Sequence, residues 1–160
     1  MLVEPMTRFV EAIAWWRLRL PDARPGLVRA AVDLLVAGDD HPSIAEMAGI
    51  PESENSFVID SLIQRAVEEI GLADELAVAP DIIAARAGAR MLLAGEIDER
   101  TLVGWVHQYF HHEGETDLIN ELANIDDDFD GVDDGWGSTP VEALNARVHE
   151  IAALLVGATG

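Results

Sequence analysis

The chain contains no cysteine. Disulfides, thiolate metal sites and a cysteine nucleophile are therefore excluded. Lysine is absent too, so all ten basic residues are arginine. We read this as compositional bias rather than mechanism. No run approaches the roughly 18–20 uninterrupted apolar residues of a membrane span. The opening residues do not read as a secretory leader. Glu4, Arg8 and Glu11 interrupt them, and Trp15-Trp16-Arg17 stand where small residues would be needed for cleavage. A cytoplasmic location is the expectation. No segment alternates apolar and polar residues like a strand, and no fixed-period repeat appears. There is no G-x-S-x-G elbow, no phosphate-binding glycine loop and no dinucleotide fingerprint. Thirty acids make neighbouring carboxylates common by chance, and no pair stands out as a tuned acid–base couple. The sequence leans away from an enzyme.

What is abundant is negative charge. Thirty acids against ten bases give a formal net charge of −20 over 160 residues. The distribution is uneven. Residues 1–30 carry five arginines (Arg8, Arg17, Arg19, Arg24, Arg29) against Glu4, Glu11 and Asp22, and beyond Thr101 the only base is Arg147. Such a field repels nucleic acid and anionic lipid, because phosphate binding needs clustered bases. It favours cations or a basic protein partner. It also keeps a protein soluble, which is the plainer use of the same charge.

About half the residues are apolar, enough for a real core, and they recur at helical spacing. Phe9, Ile13, Trp16 and Leu20 predict a helix over 5–20, closed by Pro21 and Pro25-Gly26. Further helices are predicted over 27–37, from Pro42 to Gly49, over 54–70 with Phe57, Leu62, Ala66 and Ile70 on its apolar face, over 81–94 and over 98–113. Gly71 followed by Leu72 suits a left-handed C-terminal cap. Segment 116–125 is predicted to start at a Thr116 cap and bury Leu118, Leu122 and Ile125. Thr139-Pro140-Val141-Glu142 supplies a cap, a first-turn proline and a capping-box glutamate for a last helix ending at Gly157. The expectation is an all-α fold: one domain over 1–160, an orthogonal bundle of about seven to eight helices, with no sheet. Its longest connection is an acidic loop at 126–138, where mobility or function would concentrate.

That loop carries Asp126, Asp127, Asp128, Phe129, Asp130, Asp133, Asp134 and Trp136. Counted from Asp126, acids fall at positions 1, 3, 5 and 9 (Asp126, Asp128, Asp130, Asp134) and Gly131 at position 6. These residues resemble the calcium loop of the EF-hand family, which implies calcium on those four carboxylates. The pattern departs at position 12, where Gly137 replaces a bidentate glutamate, and at position 8, where Asp133 replaces an apolar residue. The other reading is a solvated acidic surface on which a partner docks. Phe129 and Trp136 would then either staple the loop to the core or anchor that partner.

His107 and His111 lie four apart, so both can leave one face of a helix, and a carboxylate such as Glu115 or Asp117 could complete a zinc set. The H-E-x-x-H signature is absent, and histidines in a last turn also complement the helix dipole. Residues 43–51 resemble the first half of a bacterial helix-turn-helix, with Ala45 and Gly49 at its small and turn positions. The helix that follows offers Glu52, Glu54, Asn55 and Asp60 with no arginine before Arg65, so it would repel DNA. Arg17 and Arg19 behind Trp15-Trp16 could hold an anion, or pair with the chain's own excess acids.

Two longer stretches carry a family likeness. Asp40-His-Pro-Ser-Ile-Ala-Glu-Met-Ala-Gly49, continued by Val67-Glu-Glu-Ile-Gly71, and Ala94-Gly-Glu-Ile-Asp98, followed by the Trp105 helix and the aspartate run, resemble small helical proteins of actinobacteria-like genomes. The likeness spans roughly residues 27–156 in layout. It implies a helical fold and brings no catalytic residue with it.

Three functional readings stay open on these residues. One is a non-enzymatic domain whose acidic face binds a basic protein, such as an immunity protein or antitoxin-like inhibitor. A second is a calcium- or zinc-binding module, or a metal-dependent enzyme, using the aspartate run or His107 and His111. The third is an adaptor or homo-oligomerising domain without a ligand, with Trp15 or Trp16 as its contact.

Overall fold

A computed structural model describes residues 2–157. Among them the chain forms eight α-helices, one 3₁₀ turn at Glu75–Ala77 and no strand. The helices are α1 (Glu4–Arg17), α2 (Ala23–Val36), α3 (Pro42–Ala48), α4 (Ser56–Ile70), α5 (Pro80–Leu93), α6 (Glu99–Phe110), α7 (Asp117–Asp133) and α8 (Val141–Gly157). The all-α class read from the sequence is the class observed. None of these helices is long and apolar enough to cross a membrane.

The punctuation residues act as their chemistry requires. Pro42 opens α3 in the first turn, where its missing N–H has no intrahelical partner to lose. Asn55, Asp98 and Thr116 cap α4, α6 and α7, their side chains accepting from the backbone N–H of Phe57, Thr101 and Ile119. Gly71 turns α4 off with φ +84°, and Leu72 behind it is buried. At α8 the start falls one residue later than the proline pattern predicts. The Pro140 carbonyl accepts from Ala143 and Leu144, and the helix begins at Val141.

Contacts gather in two compact units, Met1–Ile83 and Ala84–Gly160, with the boundary inside α5. In the first, α1 packs on α2, α2 on α3 and α3 on α4 around Phe9, Ile13, Leu27, Ile44, Met47, Ile59 and Ile63. Each such side chain, fully buried, contributes roughly 1.5–3 kcal/mol. Phe57 is not part of this core: the buried stripe of α4 is Ile59, Leu62, Ile63 and Ala66, and Phe57 is 80 % exposed. Two residues before Ile59, it lies on the opposite side of the helix, in its first turn.

In the second unit α6 packs on α7, α7 on α8 and α6 on α8. Its buried residues include Leu102, Val103, Val106, Ile119, Leu122, Ile125, Phe129, Leu144, Val148 and Ile151. Two glycines permit close approaches here. A Cβ on Gly88 would stand 2.8 Å from the Leu102 side chain, and one on Gly114 would stand 2.5 Å from Ile119 Cγ2.

Candidate functional site

The aspartate run expected as a loop is helix. α7 does not stop near Ile125 but continues to Asp133. The reason lies in the spacing of Leu122, Ile125, Phe129 and Val132, at intervals of three, four and three, which carries the apolar stripe through the acids. Phe129 is 1 % exposed. It is a core residue and not a surface anchor. The EF-hand reading falls with the loop. At about 100° per residue, Asp128 points away from Asp126 and Asp130, so the three carboxylates cannot wrap one ion.

Helical geometry instead sorts the acids into a face. Asp126, Asp127, Asp130, Asp133 and Asp134 fall within about 120° of one another around the axis. Asp127, Asp130 and Asp133 expose 55, 64 and 56 % of their side chains. One arginine meets this face. Arg100 of α6 donates two bonds to Asp133, at 3.2 and 2.5 Å, with Asp130 3.9 Å away, and lies over the Phe129 ring at 5.1 Å. Its hydrogen bonds hold the Asp133 carboxyl below the usual carboxylate range.

The face ends at an aromatic residue. Gly135, at φ +79°, reverses the chain, and the N–H groups of Trp136 and Gly137 both donate to the Gly131 carbonyl. The Trp136 ring folds back over Gly131, where a Cβ would stand 3.3 Å from the ring. The indole is nevertheless 73 % exposed. Of the two aromatics in the run, one is core and the other is surface.

Beside the start of the acidic face lies a histidine cluster. His107, in the last turn of α6, donates from Nδ1 to Asp126 Oδ2 at 2.8 Å, with Asp127 Oδ1 3.7 Å from the same nitrogen. His112 Nε2 lies 3.3 Å from Asp127 Oδ2, and the two imidazole centroids are 4.8 Å apart. His111, the partner suggested by the four-residue spacing, is not in the cluster: the side chains that gather are His107, His112 and Asp127. Nor are Glu115 and Asp117 in it. His111 sits at the C-cap of α6 with φ 54° and ψ −135°, a conformation that costs a non-glycine residue on the order of 1–3 kcal/mol. This turn sends the chain back so that His112 faces α7. The connection is clamped beyond it, as Gly114 N–H donates to Asn120 Oδ1 at 2.7 Å and Asn120 Nδ2 donates to the Gly114 carbonyl at 3.2 Å.

The remaining candidates serve the fold. Trp15 Nε1 donates to the Pro21 carbonyl at 2.7 Å, and Trp16 Nε1 to Asp60 Oδ1 at 2.8 Å. The arginine over the Trp16 ring is Arg24, at 5.9 Å, and its guanidinium also donates to the Glu52 carbonyl at 2.8 Å. In the helix-turn-helix-like stretch, Arg65 donates to both carboxylate oxygens of Glu46, at 3.1 and 3.0 Å, tying α4 to α3.

No protein-family model matches this sequence, and no curated protein or solved structure matches it either.

Proposed function

We propose that the chain is a non-enzymatic binding domain whose acidic α7 face receives a basic protein, in the manner of an immunity protein or antitoxin-like inhibitor. One observation carries the reading: five aspartates share a face that ends at the exposed indole of Trp136. A large aromatic ring rimmed by solvated charge has the composition of an interface anchor, and aromatic residues dominate binding energy at such positions. The carboxylates would speed encounter with a positively charged surface, and the ring would hold it once docked.

Capture from the native host with the wild-type chain, followed by kinetics on the purified pair, tests this. The expected partner is basic. Its association rate falls about tenfold or more as salt rises from low to physiological strength. Trp136→Ala is expected to raise the dissociation rate and leave the salt dependence in place. Association that ignores salt, or a partner indifferent to both Trp136→Ala and Asp130→Asn, would remove the reading.

A further inference from the structure

We infer that His107, His112 and Asp127 form a binding site for one divalent transition-metal ion of the zinc class at the start of the acidic face, with Asp127 common to the two. Three ligand groups from three places in the fold converge: the end of α6, the turn after it, and the second half of α7. Their donor atoms all lie within 4.8 Å of one another.

The distances suit such an ion. Tetrahedral zinc, with ligands about 2.0–2.1 Å away, holds its donor atoms roughly 3.3–3.4 Å apart. Asp127 lies between the two imidazoles, its Oδ2 3.3 Å from His112 Nε2 and its Oδ1 3.7 Å from His107 Nδ1. Bringing one Asp127 oxygen to both nitrogens takes side-chain movement, and His112 and Asp127 are the more exposed members of the set. Asp126 Oδ2, hydrogen-bonded to His107 Nδ1 at 2.8 Å, stands beside the converging set, and water completes the coordination.

The donor chemistry narrows the ion. Two imidazoles and a carboxylate suit zinc or a neighbouring transition metal. Calcium wants six to eight oxygens, and this set cannot offer them. On binding at Nδ1, His107 gives up the proton it donates to Asp126 and carries one at Nε2 instead, so the ring stays neutral and the Nδ1 lone pair goes to the metal.

The architecture supports a preformed site. His111 holds a costly backbone conformation, and the outcome of that turn is to aim His112 at α7. Asn120 fixes the following residues from the side of α7.

The test is calorimetric titration of the metal-stripped full chain with zinc chloride at neutral pH. The expected result is one saturable ion per chain. His112→Ala and Asp127→Asn should each weaken binding by at least about tenfold, while circular dichroism shows unchanged helix content. His41→Ala should bind as the wild type does, and calcium chloride should not compete. No saturable zinc binding overturns the inference. So does binding that survives both His112→Ala and Asp127→Asn, which would mark diffuse association with the acidic surface.

Discussion

Two histidines in this chain donate from Nδ1 to an aspartate at nearly the same distance, 2.9 Å for His41 with Asp39 and 2.8 Å for His107 with Asp126. Their settings differ. His41 and Asp39 are two residues apart, and the same Asp39 oxygen also accepts the His41 backbone N–H at 2.9 Å. The pair belongs to the entry of α3, where Ser43 gives its N–H and hydroxyl to Glu69 of α4 at 3.3 and 2.5 Å. Everything there is satisfied locally, and the pair shapes a helix start. His107 and Asp126 are nineteen residues apart, on different helices, with a second histidine and a second aspartate beside them. A short turn needs one such contact. It does not need four convergent groups, and that surplus separates a ligand site from a structural contact.

The largest effect should come from removing what keeps α7 helical through the aspartates. Phe129→Ala is expected to cost about 3–5 kcal/mol, because a ring 1 % exposed leaves a cavity. It should also free Arg100 from the ring it covers. Urea denaturation gives the loss, and zinc titration of the variant should show weaker binding as Asp126 and Asp127 lose their fixed register. The His41 pair, in the other unit, should keep its properties. A loss below about 1 kcal/mol would mean the second half of α7 does not depend on the stripe.

This stripe was legible in the sequence, and so was nearly every helix. Leu122, Ile125, Phe129 and Val132 keep helical spacing, but five aspartates in eight residues and Gly131 outweigh them when the segment is read by composition. The periodic signal was the physically relevant one, since burial of Leu122, Ile125 and Phe129 together outweighs the propensity lost at aspartate and glycine. His107 was legible as a candidate ligand and His112 was not. The placement of His112 follows from one backbone angle, φ 54° at His111, to which no periodicity refers. The remaining members of the cluster come from a helix pairing, and a single sequence does not specify which faces meet. Gly114 was read as a helix stop. What it provides is room for Ile119, visible only once α6 and α7 are packed.

Zinc itself should sharpen the comparison next. An ion that binds only the folded unit adds about 2.7 kcal/mol when present at roughly 100 times its dissociation constant. Thermal melting should move upward accordingly for the wild type and for His41→Ala. It should stay put for His112→Ala and Asp127→Asn. A zinc-dependent rise that disappears in His41→Ala would place the ion in the wrong half of the chain.

A smaller loss is expected from Gly114→Ala. The new Cβ would stand 2.5 Å from Ile119 Cγ2 and 3.2 Å from Asn120 Oδ1. Relief requires shifting a buried isoleucine or giving up the Asn120 clamp, at a cost of about 1–3 kcal/mol. Because the clamp positions the turn, zinc affinity should drop alongside stability. The corresponding change at Gly49, where a Cβ would meet nothing closer than 3.8 Å, should be mild and leave zinc binding untouched. Equal effects at the two glycines, read by denaturation and titration together, would erase the distinction between the two turns.

The smallest effect tests the local pair by pH. The hydrogen bond to Asp39 raises the His41 pKa above the ordinary histidine value of about 6.5, with the charges of Asp39, Asp40 and Glu69 acting the same way. A raised folded-state pKa means the folded protein holds this proton more tightly than the unfolded chain. The contribution of His41 is therefore fully present below the unfolded value and is lost as pH rises through the folded one. Denaturation midpoints measured across that window, for the wild type and His41→Ala, should converge on the alkaline side and separate on the acid side, with the wild type the more stable. The exposed position of His41 keeps the separation small, because solvent screens the pair. Were the curves to separate on the alkaline side instead, His41 would be acting as a neutral acceptor, and its likeness to a charged histidine–aspartate contact would be lost.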